Sequence, residues 1–109
     1  MVAINFQPQF ADDVESGKKR QTIRRKARCK AGDKLQLYTG QRTKACRKLL
    51  DALCVDVSDI VMPLLDNPLI TDAFAQADGF KDSKEMQEWF RTRYKTNIFH
   101  GVLIRWKPI

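Results

Sequence analysis

The segment SGKKRQTIRRKARCK, residues 16–30, decides the fold because it combines a chain reversal with a strand. Gly17 ends the preceding element, since glycine adopts a positive φ at little steric cost. Thr22 and Ile23 favour extended structure. In a strand, Thr22 and Arg24 would lie on one face and Ile23 on the other. The segment therefore predicts a strand that places a hydroxyl and cations together on one face.

The cations of this segment also have a simpler interpretation. A run of like charges is usually a solvated face, and charges on an edge strand discourage pairing with another sheet. Composition alone favours this solvated strand over a lined pocket. The basic segment alone does not decide between the solvated strand and the lined pocket.

Length and composition indicate one globular domain, residues 1–109. The chain is 43% hydrophobic and 30% charged, which is ordinary for such a domain. Its net charge of +7 favours a polyanionic partner, either RNA or DNA. No apolar run is long enough to span a bilayer, and no basic amphipathic helix of the membrane-surface kind is evident. We therefore expect a nucleic-acid or nucleoside partner and no membrane partner.

Cysteine and histidine usage argues against a metal site. The three cysteines, Cys29, Cys46 and Cys54, have no C-x-x-C spacing, and the chain contains one histidine. Free thiols suit a reducing compartment, and the first residues lack the pattern of a secretory signal. We expect a cytoplasmic monomer that uses neither a metal nor a cofactor.

The hydrophobic pattern along the chain predicts the element order β-α-β-β-β-α-α-β. Residues 46–60 favour a long strand, although their first part could equally begin a helix. The strand interpretation places four residues on one face: Leu49, Leu53, Val55 and Val57. Most strands are too close in sequence for parallel crossovers. The prediction is an α+β fold, a mixed or antiparallel sheet curled into a small β-barrel of about five to six strands with two or three helices.

Three motifs resemble the ASCH domain, a relative of the PUA RNA-binding fold. They are F-x-x-x-V at 10–14, G-K-K-x-x-T-I-R at 17–24 and G-D-x-L at 32–35. The sequence A-x-x-D-G-F at 75–80, the W-F pair at 89–90 and the final apolar strand extend the similarity to nearly the whole chain. The motif at 17–24 combined with the G-D turn at 32–33 is fairly specific for this domain, whereas neither of the two is specific alone.

The resemblance implies a β-barrel with a cleft between the second strand and the helices, and a role with RNA or modified nucleosides. Short bacterial members act as amidohydrolases that remove the acetyl group from 4-acetylcytidine. Their catalytic lysine, threonine and acid match Lys19, Thr22 and Asp78. The acid is usually glutamate in those enzymes, so Asp78 is shorter by one methylene. Another member resembles a ribonuclease in activity, so the resemblance does not fix the reaction.

Amide hydrolysis needs a nucleophile, a base and a proton donor for the leaving amine. Thr22 would be the nucleophile and Lys19 its base, provided that burial or nearby cations lower the pKa of Lys19. Asp78 would orient Lys19 or protonate the leaving group, and Arg24 would hold the oxyanion or a phosphate. An unbroken strand would place Lys19 and Thr22 on opposite faces. Lys19 is therefore expected in the turn before the strand or beside a bulge.

The alternative is an RNA-binding module without catalysis. In that case cations would neutralise phosphates, and binding would weaken as salt concentration rises. The cations expected to contact the nucleoside or RNA are Lys18, Arg20, Arg24, Arg25, Lys26, Arg28 and Arg42.

Overall fold

Five strands form one mixed sheet, and three helices complete the fold of the computed structural model, which describes residues 1–109. The α+β class and the predicted element order are confirmed, and residues 46–60 lie in a strand rather than a helix. In chain order the elements are β1 (Val2–Phe6), α1 (Pro8–Glu15), β2 (Gln21–Arg24), β3 (Lys34–Thr39), β4 (Arg47–Pro63), α2 (Asp72–Ala77), α3 (Ser83–Tyr94) and β5 (Ile98–Pro108).

The strand order across the sheet is β1-β3-β4-β5-β2. β1 pairs with β3 in parallel, and all other neighbours are antiparallel. The two edge strands, β1 and β2, do not pair with each other, so the expected closure into a barrel is not found. A side chain joins them instead: Nη2 of Arg24 on β2 donates to the main-chain oxygen of Asn5 on β1 at 2.7 Å. The sheet is curled but open.

Leu49, Leu53, Val55 and Val57 do not share one face of β4 as predicted, since Leu49 is buried and Val55 is exposed. Two bulges interrupt β4. At the first, Lys48 and Leu50 pair with two consecutive residues of β3, and at the second, the residues on either side of Val55 pair with two consecutive residues of β5. Each bulge adds a residue and reverses which side chains point inward. Ala52 and Cys54 are consequently buried, while Val55 is 46% exposed.

Local residues fix the helix starts. α1 begins at Pro8, which cannot donate a main-chain hydrogen bond and is tolerated in a first turn. Thr71 caps α2, because its Oγ1 accepts a hydrogen bond from the amide of Phe74. Asp82 caps α3 by accepting from the amide of Glu85. None of the helices has the length and apolar character needed to cross a membrane.

Aromatic side chains connect the helices to the sheet. Phe90 of α3 packs edge-on against Phe99 of β5, with ring centroids 5.1 Å apart. Phe80, in the turn before α3, packs against Phe10 of α1 and against Trp89. Phe10, Phe80 and Phe90 are buried, whereas Trp89 is only half-buried. These contacts link α1 to α3 through Phe80 and attach α3 to β5.

Candidate functional site

A cavity of about 190 Å³ lies between β2, the start of α1 and α3. Its lining combines polar groups with an aromatic wall, which is the usual composition of a small-molecule site. The charged and hydroxyl side chains that line it are Lys19, Thr22, Arg24, Asp78 and Arg93. The aromatic side chains are Phe6, Phe10, Phe80, Trp89, Phe90 and Tyr94.

Lys19 enters the cavity from the turn between α1 and β2. Gly17 makes that turn with a φ of +81°, and the amide of Lys19 donates to the main-chain oxygen of Asp13. Lys19 therefore precedes the strand, so the alternation that would separate it from Thr22 does not apply. Its side chain is almost fully buried, and Nζ lies 5.1 Å from the ring centroid of Phe10.

Asp78 meets Lys19 from the C-terminal end of α2. Nζ of Lys19 donates to the main-chain oxygen of Asp78 at 2.6 Å and lies 3.4 Å from its Oδ1. Nε2 of Gln21 donates to the same Oδ1 at 3.4 Å. Asp78 is 3% exposed, so water contributes little to the solvation of its carboxyl. A lysine and an acid far apart in sequence thus form one buried pair.

Gly79 permits this close approach. It has a φ of +96°, which L-residues with side chains rarely adopt. A Cβ at this position would lie 2.8 Å from Cδ1 of Phe10 and 3.2 Å from Cδ of Lys19. The glycine in the D-G-F sequence is therefore required both by its backbone conformation and by the side chains packed against it.

Burial moves both members of the pair towards their neutral forms. It lowers the pKa of Lys19, an effect opposed by the carboxyl of Asp78 and reinforced by Arg24. It also raises the pKa of Asp78, opposed by Lys19 and by the hydrogen bond from Gln21. The pKa values of the amine and the carboxyl are thus moved towards each other, which suits general acid–base chemistry.

Thr22 and Arg24 both line the cavity, as expected for alternate residues of a strand. Nε of Arg24 donates to Oγ1 of Thr22 at 3.1 Å. The same guanidinium donates to the Asn5 oxygen and lies 5.1 Å from the ring centroid of Phe6. Arg24 is thus held on three sides, with its charge directed at the Thr22 oxygen.

The other six predicted binding cations lie outside this cavity. Arg25 is exposed and stacks over Phe99 and Tyr94, and Arg20 donates to the main-chain oxygen of Gly17. Exposed positions away from the cavity lining are also occupied by Lys18 and Arg42. Lys26 and Arg28 line a separate groove. The structure therefore brings Arg24 together with Lys19, Thr22 and Asp78, but not the remaining cations.

Three polar contributors to the site are not evident from the sequence. Asn5 acts through its main-chain oxygen, and Gln21 through its contact with Asp78. Arg93 lines the cavity from the last turn of α3, where a basic residue is typical because it complements the helix dipole. No three side chains of the histidine, cysteine, aspartate or glutamate types lie together as metal ligands would.

Comparison with known proteins gives a fold but no sequence family. No protein-family model matches the chain, and neither does any curated protein. Among solved structures, the crystal structure of ASCH from Zymomonas mobilis is similar, with a TM-score of 0.60 and 18% identity. The similarity covers 98% of this chain and 68% of that chain. The expected ASCH-like fold is therefore confirmed, while the identity is too low to transfer an activity.

Proposed function

We propose that this chain, which has an ASCH-like fold, is an amidohydrolase that removes the acetyl group from 4-acetylcytidine. The observation that carries the proposal is the buried Lys19–Asp78 pair, which lines one cavity together with Thr22. Amide hydrolysis requires an acid and a base, and burial moves the pKa values of this amine and this carboxyl towards each other, as those two roles need.

The first chemical step would be attack by Thr22 on the acetyl carbonyl. Its hydroxyl is unreactive until a base accepts its proton. Neutral Lys19 is that base, and its lowered pKa keeps a larger fraction of the amine unprotonated. Because Nε of Arg24 already donates to Oγ1 of Thr22, the hydroxyl proton is free to pass to an acceptor.

Collapse of the tetrahedral intermediate would then release cytidine. Its exocyclic amine must gain a proton as the C–N bond breaks, and Asp78 can supply it directly or through Lys19. The Arg24 guanidinium stabilises the negative charge that develops on oxygen. A water molecule would finally hydrolyse the acetyl ester on Thr22, which returns acetate and the free hydroxyl.

The aromatic wall supports a planar, nucleoside-sized substrate. Stacking of a base on an aromatic side chain contributes ~1–3 kcal/mol. Trp89 lines the cavity and is only half-buried, so part of its ring remains available to a ligand. Arg93 on the next turn adds a donor near the same ring.

The test is incubation of the purified protein with 4-acetylcytidine, followed by chromatographic measurement of cytidine release. Thr22→Ala removes the nucleophile and should lower turnover by at least about 100-fold. Thr92→Ala is the matched control, because Thr92 is exposed on α3 and makes no side-chain hydrogen bond. We expect the control to retain wild-type turnover. Full turnover by a folded Thr22→Ala variant would refute the mechanism.

A second candidate is an RNA-binding module without catalysis. The supporting observation is that Arg25, Lys26, Arg28 and Arg42 are exposed and form no salt bridge with any acidic side chain. By contrast, Arg47 and Lys48 are paired with Glu15 and Asp51. Absence of cytidine release from folded wild-type protein that still binds single-stranded RNA would favour this candidate.

A further inference from the structure

The cavity of the candidate site carries more positive charge than a neutral substrate would use. Arg24 and Arg93 both line it, and its one acidic side chain, Asp78, is paired with Lys19. Neither arginine forms a salt bridge. Because 4-acetylcytidine is neutral, its binding would leave both guanidinium groups without a counter-ion. The cavity therefore also suits a ligand that carries an anionic group.

Arg93 is the arginine that is available to such a group. The guanidinium of Arg24 already donates hydrogen bonds to Thr22 and to the main-chain oxygen of Asn5. Arg93 is exposed in the last turn of α3 and forms no side-chain hydrogen bond. A free guanidinium binds a carboxylate through two parallel hydrogen bonds. The arrangement favours a ligand whose carboxylate meets Arg93 while the rest of the molecule enters the cavity.

The amine of Lys19 is placed as a nucleophile in the same cavity. A neutral amine has two N–H bonds and one lone pair. Asp78 provides an acceptor for each N–H bond, its main-chain oxygen 2.6 Å and its Oδ1 3.4 Å from Nζ. The lone pair is then directed away from Asp78. The ring centroids of Phe10 and Phe6 lie 5.1 Å and 5.8 Å from Nζ, and neither ring has a proton to give to the lone pair.

A buried amine of this kind reacts readily with carbonyl compounds. Burial lowers the pKa of Lys19, so a larger fraction of the amine is neutral. Lysines desolvated in apolar pockets are nucleophiles that form imines with aldehydes and ketones. The cavity volume of about 190 Å³ exceeds the ~150 Å³ that accommodates a benzene molecule. A carbonyl compound of a few carbon atoms therefore fits beside Lys19.

We infer that Lys19 forms an imine with a small 2-oxo acid whose carboxylate is bound by Arg93. This reactivity goes beyond the proposed hydrolysis and does not depend on it, because Nζ acts as a nucleophile rather than as a base and the ligand needs no acyl group. The inference gives a use to the positive charge that a neutral nucleoside leaves unpaired.

Imine formation is balanced without an oxidant or a reductant. Nζ bonds to the carbonyl carbon, and the electron pair of the C=O bond moves to oxygen. Asp78 gives a proton to that oxygen and regains one from the nitrogen. The nitrogen lone pair then expels the hydroxyl group, which leaves as water. Nζ thereby loses both hydrogens, and the carbonyl compound loses its oxygen.

The test traps the imine by reduction. Wild-type protein is incubated with sodium cyanoborohydride and either pyruvate or methyl pyruvate, and the modified lysines are located by mass spectrometry of peptides. A trapped adduct adds the mass of the carbonyl compound less one oxygen atom. Methyl pyruvate is the matched ligand, since it has the same keto group but no charge. Lys18 is the internal control, because it is adjacent in the chain and exposed.

We expect pyruvate to modify Lys19 more extensively than Lys18. At Lys19, modification by pyruvate should exceed that by methyl pyruvate at least about tenfold, the ratio that one charge-assisted hydrogen bond provides. Lys18 should show no such preference. Arg93→Gln should remove the preference at Lys19. Arg105→Gln, which removes the same charge from an exposed position on β5, should retain it.

Three results would overturn the inference: no adduct at Lys19, equal modification of Lys18 and Lys19, or equal modification of Lys19 by the acid and its ester. An Arg93→Gln variant that still prefers the acid would overturn the assignment of the carboxylate to Arg93. The proposed function has a separate readout, the release of cytidine. An adduct at Lys19 without cytidine release would refute the hydrolase alone, and cytidine release without an adduct would refute the imine alone.

Discussion

At the scale of single residues, the site depends on keeping a lysine where water cannot solvate its charge. Nζ of Lys19 donates a hydrogen bond to Asp78 and otherwise lies beside the apolar ring of Phe10. Burying a paired charge contributes little net stability, because desolvation offsets the attraction between the partners. Folding energetics therefore does not account for the pair, whereas the proposed acid–base role does.

Lys19 should make the stability of the protein depend on alkaline pH. Its pKa in the unfolded chain is the ordinary 10.5, and burial lowers the folded value. Between the two values the unfolded chain binds more protons, so the free energy of unfolding rises with pH across that window. In Lys19→Met this rise should be smaller. Urea unfolding between about pH 7.5 and about pH 10.5 measures the slope.

The control for this experiment is Lys84→Met, which removes an exposed lysine from α3. It should retain the wild-type dependence of unfolding free energy on pH. Parallel curves for wild-type protein and Lys19→Met would show that Lys19 does not carry a lowered pKa in the folded state.

The sequence was informative about residues that follow a local rule. Thr22 and Arg24, two apart in a strand, were expected on one face, and both line the cavity. Asn5 gave no such signal, because its contribution is a main-chain oxygen that any residue would provide. The meeting of Lys19 with Asp78 was suggested by the resemblance alone, since no local pattern relates positions so far apart.

At the scale of elements, the turn between α2 and α3 positions the acid. Asp78 ends α2, Gly79 reverses the chain, and Phe80 returns into the aromatic cluster. Three consecutive residues thus have three separate roles: Asp78 pairs with Lys19, Gly79 reverses the backbone and Phe80 packs against the aromatic cluster. Substitution of the glycine tests whether the turn tolerates a side chain.

Gly79→Ala should destabilise the protein more than Gly32→Ala does. Both glycines have a φ near +95°, so both substitutions carry a similar backbone strain of about 1 kcal/mol. A Cβ at Gly32 meets nothing within 4 Å, whereas at Gly79 it would meet Phe10 and Lys19. The clash should add about 1–3 kcal/mol, measured by urea unfolding. Equal losses would mean that Phe10 and Lys19 move aside at no cost.

Element starts were predictable and the interior of the long strand was not. Thr71 and Asp82 cap their helices through their own side chains, so a few adjacent residues suffice to identify them. The bulges of β4 arise from its pairing with β3 and β5. No pattern within residues 46–60 indicates these bulges, which is why Leu49 and Val55 were predicted to lie on one face.

At the scale of the whole molecule, Arg24 takes the place of the strand pairing that would close a barrel. It connects the two edges of the sheet through Asn5 while it also contacts Thr22. Lysine has a single nitrogen and cannot reproduce the two divergent contacts of a guanidinium. The charge at this position is therefore less important than its planar, branched shape.

Arg24→Lys should loosen both edges of the sheet although the net charge is unchanged. We expect faster amide hydrogen exchange in β1 and β2, together with reduced release of cytidine from 4-acetylcytidine. Arg105→Lys on β5 is the control, because Arg105 is exposed and makes no side-chain hydrogen bond. Unchanged exchange in both edge strands of Arg24→Lys would show that the bridge does not hold them together.

The predicted closure of the sheet into a barrel is also a property of the whole molecule, and it was not found. Element order and strand spacing limit the sheet to a few topologies, and the mixed sheet lies within that set. Whether β1 and β2 pair and close the sheet depends on the length of β2, which has four residues. It also depends on the Arg24 side chain, which lies between the two strands. Neither is a property of the hydrophobic pattern.

The position of β2 at the edge also determines when the site can exist during folding. β2 carries Thr22 and Arg24 near the beginning of the chain, yet its one neighbour in the sheet is β5, at the other end. Contacts between such distant segments form slowly, because a long loop must close before they are made. On a ribosome, Thr22 and Arg24 would be synthesised well before β5, the strand with which β2 pairs. Until β5 emerges, the chain would have Thr22 and Arg24 but not the cavity that they line in the folded protein.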